Sequence, residues 1–97
     1  MKLEWSQLAI ADREQIFDYI EADNPHAAIV VDRRIKKQIE DLRDFPLSGR
    51  PGRIENTREL VIIDTPFIVA YRVDAESIRI LRVLHGAQRW PRDLTNA

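Results

Sequence analysis

The chain contains no cysteine in its 97 residues, so it carries neither a disulfide framework nor a thiolate metal site, a usage that fits the cytoplasm. Glycine is scarce, at three, and Gly49, Gly52 and Gly86 do not have the spacing of a P-loop or a dinucleotide fingerprint. Long apolar runs are missing: none approaches the roughly 20 residues that cross a bilayer. The opening Met1-Lys2-Leu3-Glu4-Trp5 is strand-like at once, which leaves no room for a signal peptide. The two histidines, His26 and His85, lack metal-ligand spacing. No metal, no cofactor and no membrane contact are therefore expected. There are no internal repeats, and the length suits one domain, residues 1–97, with a modest core.

Excess positive charge is also lacking. The formal net charge is −1, whereas sequence-independent affinity for phosphate comes from surplus Lys and Arg. The distribution is uneven. Residues 1–48 carry ten acids against seven bases, while residues 49–97 carry eight arginines, six acids and no lysine. Arginine suits bidentate bonding to carboxylate or phosphate, so the second half is where a partner bearing either group is expected.

What is present reads as an ordered series of elements. Leu3-Glu4-Trp5 predicts a first strand, and Ser6 is a good N-cap for a helix from Gln7 to about Ala22. In that helix Leu8, Ala9, Ile16, Tyr19 and Ile20 recur at helical spacing, while Asp12, Arg13, Glu14, Asp18 and Glu21 fall elsewhere. Asn24-Pro25 caps and opens a second helix, in which Ala28, Val31, Ile35, Ile39 and Leu42 step by three and four until the chain nears Pro46. A break of two or three residues makes the two helices an antiparallel hairpin. The stretch Leu47–Arg58, with Gly49-Arg50-Pro51-Gly52, predicts an irregular connection. Three β-rich runs follow, Leu60–Ile63, Phe67–Val73 and Ile78–Leu84, separated by turn compositions and so forming a meander. The expected fold is a two-layer α+β domain, β-α-α-β-β-β, with the helical hairpin on one face of a mainly antiparallel four-stranded sheet and the other face partly open. Residues Asp93–Ala97 are expected to fray.

Strict alternation in the last run would put Ile78, Ile80, Arg82 and Leu84 on one face and Arg79, Leu81, Val83 and His85 on the other. His85, at a strand end beside Gly86 and flanked by Arg82 and Arg89, is the candidate for acid–base chemistry, with the arginines stabilising negative charge. The competing reading is a histidine that bonds nearby backbone and caps the sheet edge. Trp90 is read either as a stacking platform or as a plug over the sheet. Arg72 and Arg79 lie inside strands and need a carboxylate, a ligand or solvent, and Asp64, Asp74 and Glu76 are available partners. Arg50 and Arg53 have Glu55 and Glu59 nearby. No Ser/His/Asp order and no carboxylate pair can be argued from the residues.

The order of these elements, together with Gly49-Arg50-Pro51-Gly52-Arg53, Thr57-Arg58-Glu59-Leu60-Val61, Phe67-Ile68-Val69-Ala70-Tyr71-Arg72-Val73 and Ile80-Leu81-Arg82-Val83-Leu84-His85-Gly86, resembles the RelE/ParE toxin superfamily of bacterial toxin–antitoxin modules, also called plasmid stabilisation proteins. The resemblance runs from Trp5 to Trp90. It implies a toxin neutralised by a cognate antitoxin whose C-terminal segment wraps the helices and sheet, with DNA contacted only through the antitoxin. RelE-like members cleave mRNA on the ribosome without a metal; ParE-like members poison DNA gyrase. For a nuclease the resemblance makes His85, Arg82, Arg89 and Tyr71 the catalytic candidates. For a protein partner, Arg58, Arg72, Arg82, Arg89 and Trp90 are the binding candidates. The chain departs from the RelE pattern at Ile68, where those nucleases place an arginine three residues before the strand tyrosine, and at Val61–Ile63, where they carry lysines. His85 falls near the histidine of some ribosome-dependent relatives. With the acidic balance, these departures favour the ParE-like branch and growth inhibition through gyrase. A ribosome-dependent nuclease and a pure partner in antitoxin-mediated repression are the alternatives.

Overall fold

The computed structural model describes residues 1–94. Its elements run β1 (Lys2–Trp5), α1 (Gln7–Glu21), α2 (Pro25–Glu40), a 3₁₀ turn (Asp41–Arg43), β2 (Arg50–Pro51), β3 (Arg58–Val61), β4 (Phe67–Val73) and β5 (Ser77–His85). The sheet order is β1-β5-β4-β3-β2, with β1 parallel to β5 and every other pairing antiparallel. The class is α+β, two helices against a mostly antiparallel sheet.

Local chemistry sets the helix ends. Ser6 accepts from the Ala9 N–H at 2.9 Å and Asn24 from the Ala27 N–H at 3.1 Å, each satisfying a donor that the first turn leaves orphaned. Pro25 occupies the first turn of α2, where its missing N–H costs nothing. Ala28, Ile35 and Ile39 of α2 are buried, and Ile35 and Ile39, continued by Leu42, share one cluster with Ile62, Val69, Tyr71, Ile78, Ile80 and Val83. α1 contributes less: Ala9 is buried and Ile16 and Ile20 are partly so. The helix-side core is therefore shared: α1 lies along β5, and α2 supplies the fully buried aliphatics Ile35 and Ile39.

The sheet departs from expectation in three places. It has five strands, because Arg50–Pro51 pairs with Arg58–Glu59 as a short outer strand; proline is tolerated there because an edge residue owes the ladder no N–H on its outer side. The β4–β5 register shifts between Ala70 and Tyr71, since Ala70 pairs with Arg82 but Tyr71 with Ile80. Leu81 is thus an extra residue, a bulge, and alternation inverts across it. Ile78, Ile80 and Val83 join the helix-side core, while Leu81 joins a second cluster with Ala70 and Leu94. Finally, the second face is not open. Ile54, Trp90 and the buried Leu94 cover Ala70 and Leu81, so Leu94 is held rather than frayed; residues 95–97 of that expectation lie outside the described residues.

Tyr71 ties the long connection to this core. Its side chain is fully buried; its hydroxyl accepts from the Gly49 N–H at 2.9 Å and donates to the Pro46 carbonyl at 2.9 Å. A Cβ at Gly49 would lie 2.5 Å from that hydroxyl, so glycine is needed for close approach. Burial pushes the Tyr71 phenol above its usual range, partly offset by the Gly49 N–H. Tyr71→Phe should orphan the Gly49 N–H and cost about 1–3 kcal/mol, read as a lower urea midpoint with an unchanged m-value.

Candidate functional site

β5 carries the candidates Arg82 and His85, and its outer edge is only half covered by β1. β1 pairs with Ser77–Ile80 and then ends. Beyond that point α1 supplies the partners: the Ser6 hydroxyl donates to the Leu81 carbonyl at 2.8 Å, and the Asp12 carboxylate accepts from the Val83 N–H at 2.9 Å. Asp12 also accepts a bidentate pair from Arg82, at 2.7 and 2.9 Å. Asp12 is only 8% exposed, and three charge-assisted bonds offset the desolvation of its carboxylate. Bonding to Asp12 holds the Arg82 guanidinium above its ordinary value against the opposing effect of burial. Arg82 is thus committed internally.

His85 stands at the end of β5, edge-on to Phe67 with ring centroids 5.6 Å apart. Its Nδ1 accepts from the Ala87 N–H at 3.0 Å, and the His85 backbone N–H donates to Gln88 Oε1 at 2.7 Å. The ring is half-buried in a cleft of about 400 Å³ that Gln15, Ile16, Tyr19, Phe67, Arg82 and Gln88 help line. The cleft's one carboxylate, Asp12, is already engaged. A histidine so placed has an aromatic neighbour and a backbone donor, but no orienting acid of its own.

The other candidates do not gather around it. Tyr71, offered as a nuclease residue, is sealed in the core and can touch no substrate. Arg58 donates to the Gly49 carbonyl at 2.8 Å and lines a separate cleft with Leu47, Pro51 and Val73. Arg72 pairs with Asp74 at 3.1 Å, and Arg79 approaches Glu4 at 3.9 Å. Arg89 is exposed. Trp90 packs on the second face, with the Arg53 guanidinium 3.7 Å from its ring centroid and its Nε1 buried without an acceptor among the described residues. Arg53 is itself held by Glu59, together with Arg50. Among the described residues no three His, Asp or Glu side chains group to hold a metal.

The sequence matches the family described as the ParE toxin of the type II toxin–antitoxin system parDE over residues 3–90. The chain belongs to the ParE toxin family. It is 43% identical to the Y4kP protein of Sinorhizobium fredii over 93 residues, 96% of each chain. It is 33% identical to toxin RelE2 of Caulobacter vibrioides over 84 residues, 87% of this chain and 93% of that one. A chain of the chromosomal ParDE system from P. aeruginosa superposes with a TM-score of 0.79 at 30% identity, covering 86% of this chain and 92% of the other. One from the RelBE2 toxin–antitoxin complex of Mycobacterium tuberculosis gives 0.59 at 25%, covering 87% and 95%.

Two buried acids organise this ParE-family fold, and the sequence pattern set one of them, Asp12, apart from the apolar positions of α1. The signal was there: Asp12 stands three residues after Ala9 and four before Ile16, in line with the buried stripe. Glu59, 3% exposed, accepts from the Arg53 N–H at 2.7 Å, Arg53 Nε at 3.1 Å and Arg50 Nη2 at 3.0 Å. Burial pushes its carboxyl up, but the Arg53 and Arg50 bonds outweigh this and it titrates below the usual range.

A depressed pKa contributes stability above the unfolded value near 4.5 that is lost as pH falls through the folded value. Glu59→Gln should therefore be less stable than wild type at pH 7, with the gap closing as pH drops below about 4.5; parallel urea titrations check this. Asp12→Asn should cost about 2–3 kcal/mol, less than a fully buried pair because Arg82 keeps some access to water, as measured by thermal and urea unfolding.

Proposed function

We propose that the chain is a cytoplasmic toxin that poisons DNA gyrase through protein contact, with no bond-making chemistry of its own, and that a cognate antitoxin neutralises it. The observation that carries this reading is the internal use of its arginines and tyrosine. Arg82 is held by Asp12, Arg53 by Glu59 and Trp90, and Tyr71 is sealed. A nuclease that clamps phosphate needs such groups free and converging at the reacting atoms.

Position 68 supports the same reading. The arginine of the RelE pattern is replaced by Ile68, buried, and a Cβ at Gly86 would come within 3.2 Å of the Ile68 side chain. Where those relatives carry lysines, Val61 and Ile63 present exposed aliphatic surface, which suits a protein partner better than a phosphate backbone. The antitoxin reading rests on family membership and on the ParDE and RelBE2 systems to which the superposed chains belong. Its neutralising segment is expected across α1 and α2 and along a sheet edge. No described helix is long and apolar enough to cross a membrane.

The second reading, mRNA cleavage on the ribosome, is favoured by one feature, the His85 cleft with its amide and aromatic lining. The two separate cleanly. Purified toxin at micromolar concentration should make gyrase accumulate cleaved DNA, and His85→Ala should stay toxic on induction. Unaltered gyrase cleavage together with loss of toxicity and of mRNA cuts in His85→Ala would assign the nuclease instead.

A further inference from the structure

Residues 44–49, between the 3₁₀ turn and β2, hold two large apolar side chains in solvent: Phe45 is 67% exposed and Leu47 62%. Their backbone is nonetheless fixed. The Phe45 N–H donates to the Asp41 carbonyl and the Ser48 N–H to the Phe45 carbonyl, both at 3.1 Å. From the core Tyr71 bridges Pro46 and Gly49, while Arg58 Nη1 donates to the Gly49 carbonyl at 2.8 Å and to the Leu47 carbonyl at 3.4 Å. A loop held this firmly loses little freedom on docking, so an exposed phenylalanine on it is a ready anchor. Beside it lies a groove of about 380 Å³ whose lining includes Leu47, Pro51, Thr57, Arg58 and Val73. Knob and hole therefore meet at Leu47.

The two features carry opposite charges. Asp44, next to the knob, is exposed and has no ion pair among the described residues; Lys37, which feels its field, bonds Asp41 instead. Arg58, in the groove, spends its Nη1 on carbonyls and likewise has no carboxylate paired with it among the described residues.

We infer that this end of the sheet is a self-association surface: in a twofold dimer Phe45 of each copy enters the groove of the other, and Asp44 pairs across with Arg58. A twofold contact repeats each pairing, so both knobs and both grooves are filled and the assembly closes at two. Charge complementarity selects a second copy, since a segment bearing one sign would leave either Asp44 or Arg58 uncompensated. The net charge of −1 sets no long-range barrier between copies. The contact is small, in the class below about 1,200 Å², and its dissociation constant is on the order of 10 μM. It leaves Val61, Ile63 and His85 uncovered, because these stand at the opposite end of the strands from Arg58 and Val73. The inference is thus independent of the gyrase reading.

The test is sedimentation equilibrium of refolded full-length protein with no other chain present. Wild type should be mainly dimeric at about 200 μM and mainly monomeric at about 1 μM. Phe45→Ser should weaken the dimer about 30-fold. D44R and R58D should each weaken it about tenfold, and mixing the two should restore a heterodimer near wild-type affinity, because both cross pairs are again of opposite sign. Circular dichroism verifies each fold; Asp44 and Phe45 are exposed, so D44R and F45S decide the outcome if R58D does not fold. Wild type that stays monomeric at about 200 μM overturns the inference, as does a dimer that F45S leaves intact or a mixture of D44R with folded R58D no tighter than either alone. A monomer whose binding to antitoxin or to gyrase is lost in F45S assigns the surface to that partner and also overturns it.

Discussion

Much of the structure depends on one carboxylate. β1 runs out four residues into β5, and without a substitute the rest of that strand would present unpaired backbone at an edge, a costly arrangement for a half-buried strand. Asp12 takes the Val83 N–H and Ser6 takes the Leu81 carbonyl, so α1 finishes the ladder that β1 began. Arg82 neutralises the acid thereby buried. These bonds add to the apolar contacts of Ala9, Ile16 and Ile20 in fixing α1 along β5.

The same arrangement bears on function. An arginine in a bidentate bond to a buried carboxylate cannot also clamp a phosphate without leaving that acid uncompensated. The pattern repeats at Glu59, which binds Arg50 and Arg53 and through Arg53 secures Trp90 over the second face. The second half of the chain is rich in arginine, yet much of that charge is spent on stabilising connections. Outward lie aliphatic Val61 and Ile63 and acidic Glu14 and Asp18, beside exposed cations that include Arg33, Arg34, Arg89 and Arg92.

Reading the residues recovered whatever local rules govern. Asn24-Pro25 marked the start of α2, Ser6 capped α1, and Phe67–Val73 has the bounds of β4. It missed what depends on contacts distant in sequence. The bulge at Leu81 is set by the pairing of β4 with β5 and inverts the alternation on which the site reading relied. Pro51 looked like a strand breaker, but a breaker is admissible at an edge. Tyr71 was a nuclease candidate through the family resemblance alone, and only the folded chain shows Gly49 and Pro46 engaging its hydroxyl. Asp12 and Arg82 are seventy residues apart, so neither could name the other from the sequence.

The central claim is that Arg82 serves the fold and not a reaction. It is tested most directly by combining Asp12→Asn, which keeps an acceptor for the Val83 N–H, with Arg82→Met, which keeps the packing of the stem without the charge, and measuring growth inhibition on induction. The account predicts that the folded double variant inhibits growth as wild type does. A variant that folds, with wild-type circular dichroism and antitoxin binding, yet has lost its toxicity would contradict it.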